Sequence, residues 1–208
     1  MSMNAITALA SLSKLDVPCF TTNDASSVLH LSRSAASHML ARLARAGVLA
    51  RLRPGLWSLP GRMDRMALAE ALAAPMPAYI SLQSALYHHG MISQIPSVLY
   101  AVTPGQTRRF DSPLGSASLH HISSRFFFGF ERVGRHGPSI AVPEKALLDT
   151  LYFSPAKSGL FRSFPEIEFP KRFKKSLARE WVRRIPSLRT RTLVMRKLEA
   201  LLRPENRS

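Results

Sequence analysis

The sequence has little of what a disulfide-bonded, metal-binding or membrane-spanning protein requires. Its 208 residues include one cysteine, Cys19, which excludes an internal disulfide and a cysteine-based metal site. No apolar run approaches the roughly 18 residues that a membrane-spanning helix needs. Residues 1–15 contain an Ala/Leu run without the basic segment that opens a signal peptide. We therefore expect a cytoplasmic protein that uses no cofactor and contacts no membrane.

Acidic residues are also scarce. The chain has 13 of them against 29 Lys and Arg, which gives a formal net charge of +16. The excess is uneven: residues 1–61 carry +4, residues 62–153 carry +2 and residues 154–208 carry +10. A positive field of this size attracts polyanions such as nucleic acids. The alternative is a basic surface that serves only solubility, and we favour it less because the charge coincides with a motif.

The N-terminal residues have the pattern of a helix-turn-helix. Apolar residues recur at helical spacing over 5–15, which predicts a first helix. The N-cap formers at 21–24 predict the start of a short second helix. Ser32 can cap a third helix that runs through Ala46, and Gly47 can end it. The short turn between the second and third helices completes the unit.

The third predicted helix has an apolar face and a polar face. Ala36, Leu40 and Leu43 share the side that would face a core. The other side has short polar residues near the helix start and arginines further along, as a recognition helix needs for base edges and phosphates. An ordinary amphipathic helix with a solvated face would show the same pattern. The residues of this helix predicted to contact DNA are Arg33, Ser34, Ser37, His38, Arg42 and Arg45.

Residues 48–59 predict two short strands around the turn Pro54-Gly55. Arg51 and Arg53 lie on the first of these strands and would sit beside the phosphate backbone, so both join the predicted DNA contacts. The order helix, helix, recognition helix, strand, basic turn, strand is far more specific than any of its parts. It predicts a winged helix-turn-helix domain over residues 1–61.

Residues 62–208 predict a larger α+β domain in which helices flank a small sheet. The boundary falls near Pro60-Gly61. The predicted helices are 63–74, 81–89 with Ser81 as its cap, 143–152, 171–184 and 188–202. The predicted strands are 98–103 and 119–122, with 126–130 as a candidate third.

Basic residues crowd the predicted helix 171–184, where Trp181 and Val182 offer an apolar anchor. Such a helix can bury the stems of its side chains while their charged ends stay in water, so a purely solvated face is one interpretation. The other is a second polyanion-binding surface, for flanking DNA, an RNA or a nucleotide. The residues predicted for it are Lys171, Arg172, Lys174, Lys175, Arg179, Arg183 and Arg184.

Two histidine pairs, His88-His89 and His120-His121, invite a metal-binding interpretation. Adjacent side chains diverge by about 100° on a helix and face opposite sides of a strand. Each pair therefore offers at most one inward ligand, and we favour packing or surface roles. We predict no metal site.

Glu144, Lys145 and Asp149, together with Asp111, suggest a nuclease site. However, Lys145 and Asp149 are four residues apart on a predicted helix, so an ion pair explains them. Glu144 at the helix start suits the helix dipole. We therefore predict no catalytic residues.

A series of segments between residues 79 and 149 matches a known family in order and spacing. The segments are YISLQSALYHHGMI (79–92), QIP (94–96), VT (102–103), SPLG (112–115), HHI (120–122), GF (129–130) and IAVPEKALLD (140–149). Together with the predicted wing they resemble AbiEi-type antitoxins over most of residues 20–153. The resemblance implies a repressor that regulates its own operon through the winged helix. It also implies a C-terminal domain that counteracts a nucleotidyltransferase toxin without a stable complex, in a type IV toxin–antitoxin system.

The sequence leaves two other functions open. One is a nucleic-acid-processing enzyme that a winged helix directs to its target, and the missing carboxylate cluster argues against it. The other is a plain regulator of one operon without a toxin, which the adjacent gene would distinguish. We predict a non-enzymatic repressor and antitoxin that binds double-stranded DNA at its own operator, in an oligomeric state that the sequence leaves undetermined.

Overall fold

The computed structural model describes residues 4–135, 137–154 and 166–203. The chain begins with three helices and three short strands, in the order that the sequence predicts, and β1 is an addition to it. These elements are α1 (Ala5–Ser13), β1 (Phe20–Thr21), α2 (Thr22–Leu29), α3 (Arg33–Arg45), β2 (Ala50–Arg53) and β3 (Leu56–Ser58). We refer to them together as the N-terminal unit.

Side-chain caps fix where the three N-terminal helices begin. Asn4 accepts a hydrogen bond from the Thr7 amide at 2.7 Å. Thr21 and Asp24 form a reciprocal capping box at the start of α2, and Ser32 accepts from the Ala35 amide at the start of α3. Each cap satisfies an amide that the helix leaves unpaired. The caps predicted within 21–24 and at Ser32 are confirmed.

The three strands of the N-terminal unit form one antiparallel sheet in the order β1-β3-β2. Gly55, with φ +78°, closes the hairpin between β2 and β3, in a conformation that favours glycine. Helices and sheet enclose a small core that includes Leu12, Leu40 and Trp57. Ile6, one of the apolar residues at helical spacing that predicted this first helix, is nevertheless 81% exposed.

The remaining elements form a second, larger body. They are a 3-10 turn (Arg65–Ala67), α4 (Leu68–Ala73), β4 (Tyr79–Ile80), α5 (Leu82–His88), β5 (Leu99–Thr103), β6 (Arg108–Ser112), β7 (Gly115–His121), a second 3-10 turn (Ser124–Phe126), β8 (Phe130–Arg132), β9 (Ser139–Ala141), α6 (Pro143–Phe153), α7 (Lys175–Val182) and α8 (Leu188–Leu202). Among the residues described, no helix is both long enough and apolar enough to cross a membrane.

The second body is built on a mixed sheet of six strands in the order β6-β7-β5-β4-β9-β8. Pairing is parallel between β5 and β7 and between β4 and β9, and antiparallel elsewhere. Leu119 and His120 are successive residues of β7 and point to opposite faces. Leu119 lies with Leu72 of α4 along one cleft, whereas the His120 ring contacts the Phe153 ring of α6. Helices thus cover both faces, and the predicted α+β class is confirmed.

Some predicted elements differ from the structure. Residues 63–74 form a 3-10 turn and a short helix in place of one helix, and the helix predicted at 171–184 begins at Lys175. The strand proposed at 126–130 is wrong, because a 3-10 turn occupies its start and β8 begins at Phe130. The aromatic residues that suggested a strand instead pack against helices: Phe126 contacts Tyr152 of α6, and Phe128 contacts Trp181 of α7.

The two cores meet at the hairpin of the N-terminal unit. Trp57 belongs to the N-terminal core, whereas Ala50, Leu52 and Leu56 belong to the core of the second body. The hairpin therefore contributes residues to both the N-terminal core and the core of the second body. A domain boundary after Gly61 remains a prediction, since the apolar contacts continue across it.

Candidate nucleic-acid interface

The start of α3 presents the residues that the sequence predicts for base reading. Ala36, Leu40 and Leu43 are buried in the N-terminal core. The predicted DNA-contacting residues of this helix are all exposed: Arg33, Ser34, Ser37, His38, Arg42 and Arg45. The helix is therefore divided into a packed face and a solvent face as predicted.

A groove of about 710 Å³ connects the start of α3 with the hairpin. Its walls bring together residues that are distant in sequence. The lining residues are Thr22, Arg33, Ser34, Ser37, His38, Arg51, Pro54 and Gly55. Five of the eight predicted DNA contacts thus share one groove, while Arg42 and Arg45 lie further along the same helix.

Two residues of the hairpin hold the wall of this groove in place. The Trp57 indole donates a hydrogen bond to the Thr22 hydroxyl at 3.0 Å, and the pair is buried. The Arg51 guanidinium lies over the Trp57 ring, 5.5 Å from its centroid, in a cation–π arrangement. Arg51 is thereby held at the edge of the groove, where its charge can meet a phosphate.

Arg53 does not line the groove. The pairing of β2 with β3 shifts register between Arg51 and Arg53, and a bulge of this kind turns the residues that follow it. Arg53 is half-buried, and its guanidinium donates to the Ala74 carbonyl of the second body at 3.2 Å. That Arg53 contacts a DNA phosphate stays a prediction, and its hydrogen bond to Ala74 argues against it.

The basic C-terminal residues do not form one helix face. Lys171, Arg172 and Lys174 precede α7, and Lys174 is its N-cap residue. Arg172 and Lys174 line a cleft of about 600 Å³ that Glu131 and Glu144 also line. The positive charge in that cleft is therefore partly offset.

Several of these cations already have partners within the chain. Arg179 donates two hydrogen bonds to Glu199, at 2.7 and 3.0 Å. The Arg184 guanidinium lies 3.5 Å from the centroid of the Phe128 ring. Lys171, Lys175 and Arg183 are exposed and form no ion pair in the described part of the chain. These three are the residues best placed to meet an outside polyanion.

Two of the residues considered for a nuclease site, Lys145 and Asp149, belong to a buried structural network, whereas Asp111 is exposed and pairs with Arg109. Asp149 accepts hydrogen bonds from the Tyr79 and Ser81 hydroxyls and pairs with Lys145. Burial lowers the pKa of Lys145 and raises the pKa of Asp149. Ser81 holds the N-cap position of α5, yet its hydroxyl bonds Asp149 and does not cap the helix. Since the carboxylate is fully buried, it cannot meet a nucleic acid without a rearrangement.

The histidine pairs separate as predicted, with one half-buried or buried member each. His89 bonds the Ala141 carbonyl through Nε2 and Arg172 through Nδ1, and burial lowers its pKa. Burial also lowers the pKa of His120. No group of three or more metal-ligating side chains occurs in the ranges that the structure describes.

Sequence reasoning missed two features of this interface. Thr22 was predicted only to belong to a helix start, although its hydroxyl accepts the hydrogen bond that positions Trp57. The divergence of Arg51 and Arg53 was also missed, because a bulge has no reliable signal in so short a strand. Both arginines were predicted to sit beside the phosphate backbone.

The N-terminal unit is similar to a known family of regulators. A family model described as "Transcriptional regulator, AbiEi antitoxin" matches residues 8–60, which is 53 of the 208 residues. The match contains α2, α3 and the hairpin in full, so the resemblance seen in the sequence is confirmed there. Residues 79–149, which carry the rest of that resemblance, lie outside the matched range. A search of curated proteins finds no match to the chain.

Proposed function

We propose that the protein is a DNA-binding transcriptional repressor whose N-terminal unit acts as a winged helix-turn-helix. The observation that carries the proposal is the groove formed by the start of α3 and the hairpin, where Ser37, His38 and Arg51 converge. A recognition helix reads base edges with its N-terminal residues, and basic residues beside it meet phosphates. The net charge of +16 favours encounter with DNA.

We further propose that the protein is the antitoxin of a type IV system and represses its own operon. The match of residues 8–60 to a family described as an AbiEi antitoxin regulator supports this assignment. The toxin would be a nucleotidyltransferase, counteracted without a stable complex. A nucleotidyltransferase gene in the same operon, and survival of cells that express it only when this protein is present, would support the antitoxin role. Its absence would leave a plain repressor.

A nucleic-acid-processing enzyme is the less favoured alternative. Two of the residues that suggested it, Lys145 and Asp149, are fully buried in an ion pair, and the Tyr79 and Ser81 hydroxyls donate to the same carboxylate. Incubation of the protein with operator DNA across divalent ions tests this alternative. Intact DNA under all conditions is the expected result.

The repressor proposal is tested by changing the residues that would read bases. The double variant Ser37→Ala/His38→Ala should lower the ratio of operator to unrelated-DNA affinity by about tenfold or more, since a base contact is worth about 1–3 kcal/mol. Affinity for unrelated DNA should change little. Fluorescence anisotropy with DNA from upstream of the gene measures both.

A matched control makes the same chemical change away from the groove. His88 and Ser93 are both exposed on the second body, so His88→Ala/Ser93→Ala should leave the affinity ratio unchanged. A footprint that the Ser37/His38 variant leaves intact would show that α3 is not the reading helix.

A further inference from the structure

Two arginines face one cleft between the hairpin and the second body. Arg53 of β2 and Arg108 of β6 line a cleft of about 400 Å³, together with Gln106 and the apolar side chains of Leu72, Met76 and Leu119. A volume of this size lies within the range of small-molecule sites. No residue that lines the cleft is acidic.

The two guanidinium groups are only partly satisfied. Arg53 donates to the Ala74 carbonyl at 3.2 Å, and Arg108 donates to the Gln106 amide oxygen at 2.8 Å. Neither forms an ion pair with any residue of the described ranges. The Arg53 Nε is buried and has no acceptor within the described structure. A buried donor without an acceptor is unfavourable, so the Arg53 guanidinium is not fully satisfied within the described chain.

The wall of the cleft is held in place by hydrogen bonds within the second body. The Thr103 hydroxyl donates to the Pro77 carbonyl at 2.7 Å and accepts from the Gly105 amide at 3.1 Å. These bonds fix the turn that precedes β6, which carries Gln106 and Arg108. The backbone of this turn is therefore ordered before any ligand arrives, which lowers the cost of binding.

We propose that this cleft binds a small organic phosphate, with an apolar or aromatic body between the sizes of phenyl phosphate and a mononucleotide. Two guanidiniums match the charge of a phosphate and can donate hydrogen bonds to its oxygens, and Leu72, Met76 and Leu119 offer a surface for the apolar body. Duplex DNA is the less suitable occupant, because the cleft contains no residue of α3.

The cleft is also connected to the DNA-binding groove through strand β2. Arg53 belongs to the same short strand as Arg51, which lines that groove. Occupancy of the cleft would therefore change the affinity of the hairpin for DNA, and DNA would change the affinity for the phosphate by the same factor. This effector role rests on the DNA-binding function proposed above, whereas phosphate binding does not.

Calorimetric titration of the full-length chain tests the site. Phenyl phosphate should bind, and inorganic phosphate and benzoate should bind more weakly, because the first lacks the apolar body and the second has a smaller charge. Arg108→Gln should weaken phenyl phosphate binding by about tenfold or more, the usual loss for a hydrogen bond to a charged group. Arg53→Gln should do the same.

Arg109 supplies the matched control, since it neighbours Arg108, is exposed and does not line the cleft. Arg109→Gln should leave binding unchanged. The proposal is overturned if phenyl phosphate does not bind, or if the Arg109 variant loses as much affinity for phenyl phosphate as the Arg108 variant. It is also overturned if Arg108→Gln weakens the binding of a short DNA duplex and leaves the binding of phenyl phosphate unchanged. Circular dichroism confirms that each variant is folded.

A second measurement separates the site from its effect. Operator affinity with and without phenyl phosphate should differ in the wild type and not in Arg108→Gln. Equal affinities in the wild type would overturn the effector role. If the chain binds no DNA at all, the repressor function fails, and the titration still decides whether the cleft binds phosphate.

Discussion

Lys145 and Asp149 form an ion pair one turn apart on α6, with both side chains fully buried. The Tyr79 and Ser81 hydroxyls donate to the same carboxylate at 2.9 and 2.7 Å. The predicted ion pair is confirmed, but it is not a surface pair. It connects β4 and the start of α5 to α6, so the motif residues at 79–81 and 145–149 hold one another in the core of the second body.

Asp149→Asn should destabilise the second body by about 3–5 kcal/mol, because it leaves the Lys145 ammonium buried without a counter-charge. Lys145→Met should cost less than Asp149→Asn, since Asp149 keeps its bonds to Tyr79 and Ser81 and can take up a proton. Urea denaturation followed by circular dichroism measures both.

The double variant Lys145→Met/Asp149→Asn provides the internal control. Removal of both charges leaves none uncompensated, so its loss should be smaller than the sum of the two single losses. Additive losses would show that the two groups contribute independently and that the network does not act as a unit.

Arg51 and Arg53 should behave differently in DNA binding. Arg51 lies at the edge of the groove over Trp57, so Arg51→Gln should weaken binding to all DNA sequences alike and lower the salt slope by about one. Arg53 faces the second body, so Arg53→Gln should leave the slope unchanged. Equal effects of the two variants on the slope would contradict the orientation of Arg53.

The parts of the fold that were predictable have local signals. Ser32 and Gly47 mark the ends of α3, and Pro54-Gly55 marks the hairpin, because caps and turns depend on a few neighbouring residues. The strands that were missed have two, three or five residues. Their pairing joins distant segments, as when Ile80 pairs with Ile140, and no local pattern records it.

The candidate site likewise contains residues that a local pattern predicts and residues whose positions depend on tertiary packing. The exposed face of α3 follows from helical periodicity, so Ser37 and His38 could be predicted. The orientation of Arg53 depends on a bulge and on contacts with α4 and β6, which only the packed structure gives. For the same reason the partners of Arg172, Arg179 and Arg184 were not foreseen, and the basic residues were assigned to a single helix face.

His89 should make the stability of the second body sensitive to acid. Since the Ala141 carbonyl accepts from Nε2, the proton lies there, and Nδ1 accepts from Arg172. Burial lowers the pKa of His89 below its ordinary value of 6.5. Its stabilising contribution is therefore complete above pH 6.5 and is lost as the pH falls from there to the folded-state value, because the unfolded state takes up the proton first.

Urea denaturation at about pH 7.5 and about pH 5.5 tests this dependence, since the two values bracket the ordinary histidine pKa. The loss on acidification should be smaller in His89→Gln than in the wild type, with the remainder due to groups such as His120, whose pKa is also lowered by burial. A nitrogen NMR spectrum that places the proton of the neutral His89 imidazole on Nδ1 would rule out this arrangement.

The exposed cations at Lys171, Lys175 and Arg183 should form the part of the basic C-terminal region that binds polyanions. Their replacement by Gln in the full-length chain should lower the salt slope for a short single-stranded RNA by about two, at roughly 0.7 per lost phosphate contact. Arg109, Arg125 and Arg135 are also exposed, so their triple Gln variant removes the same charge elsewhere. If both variants lose equally, the effect is one of net charge, and the C-terminal region has no binding surface of its own.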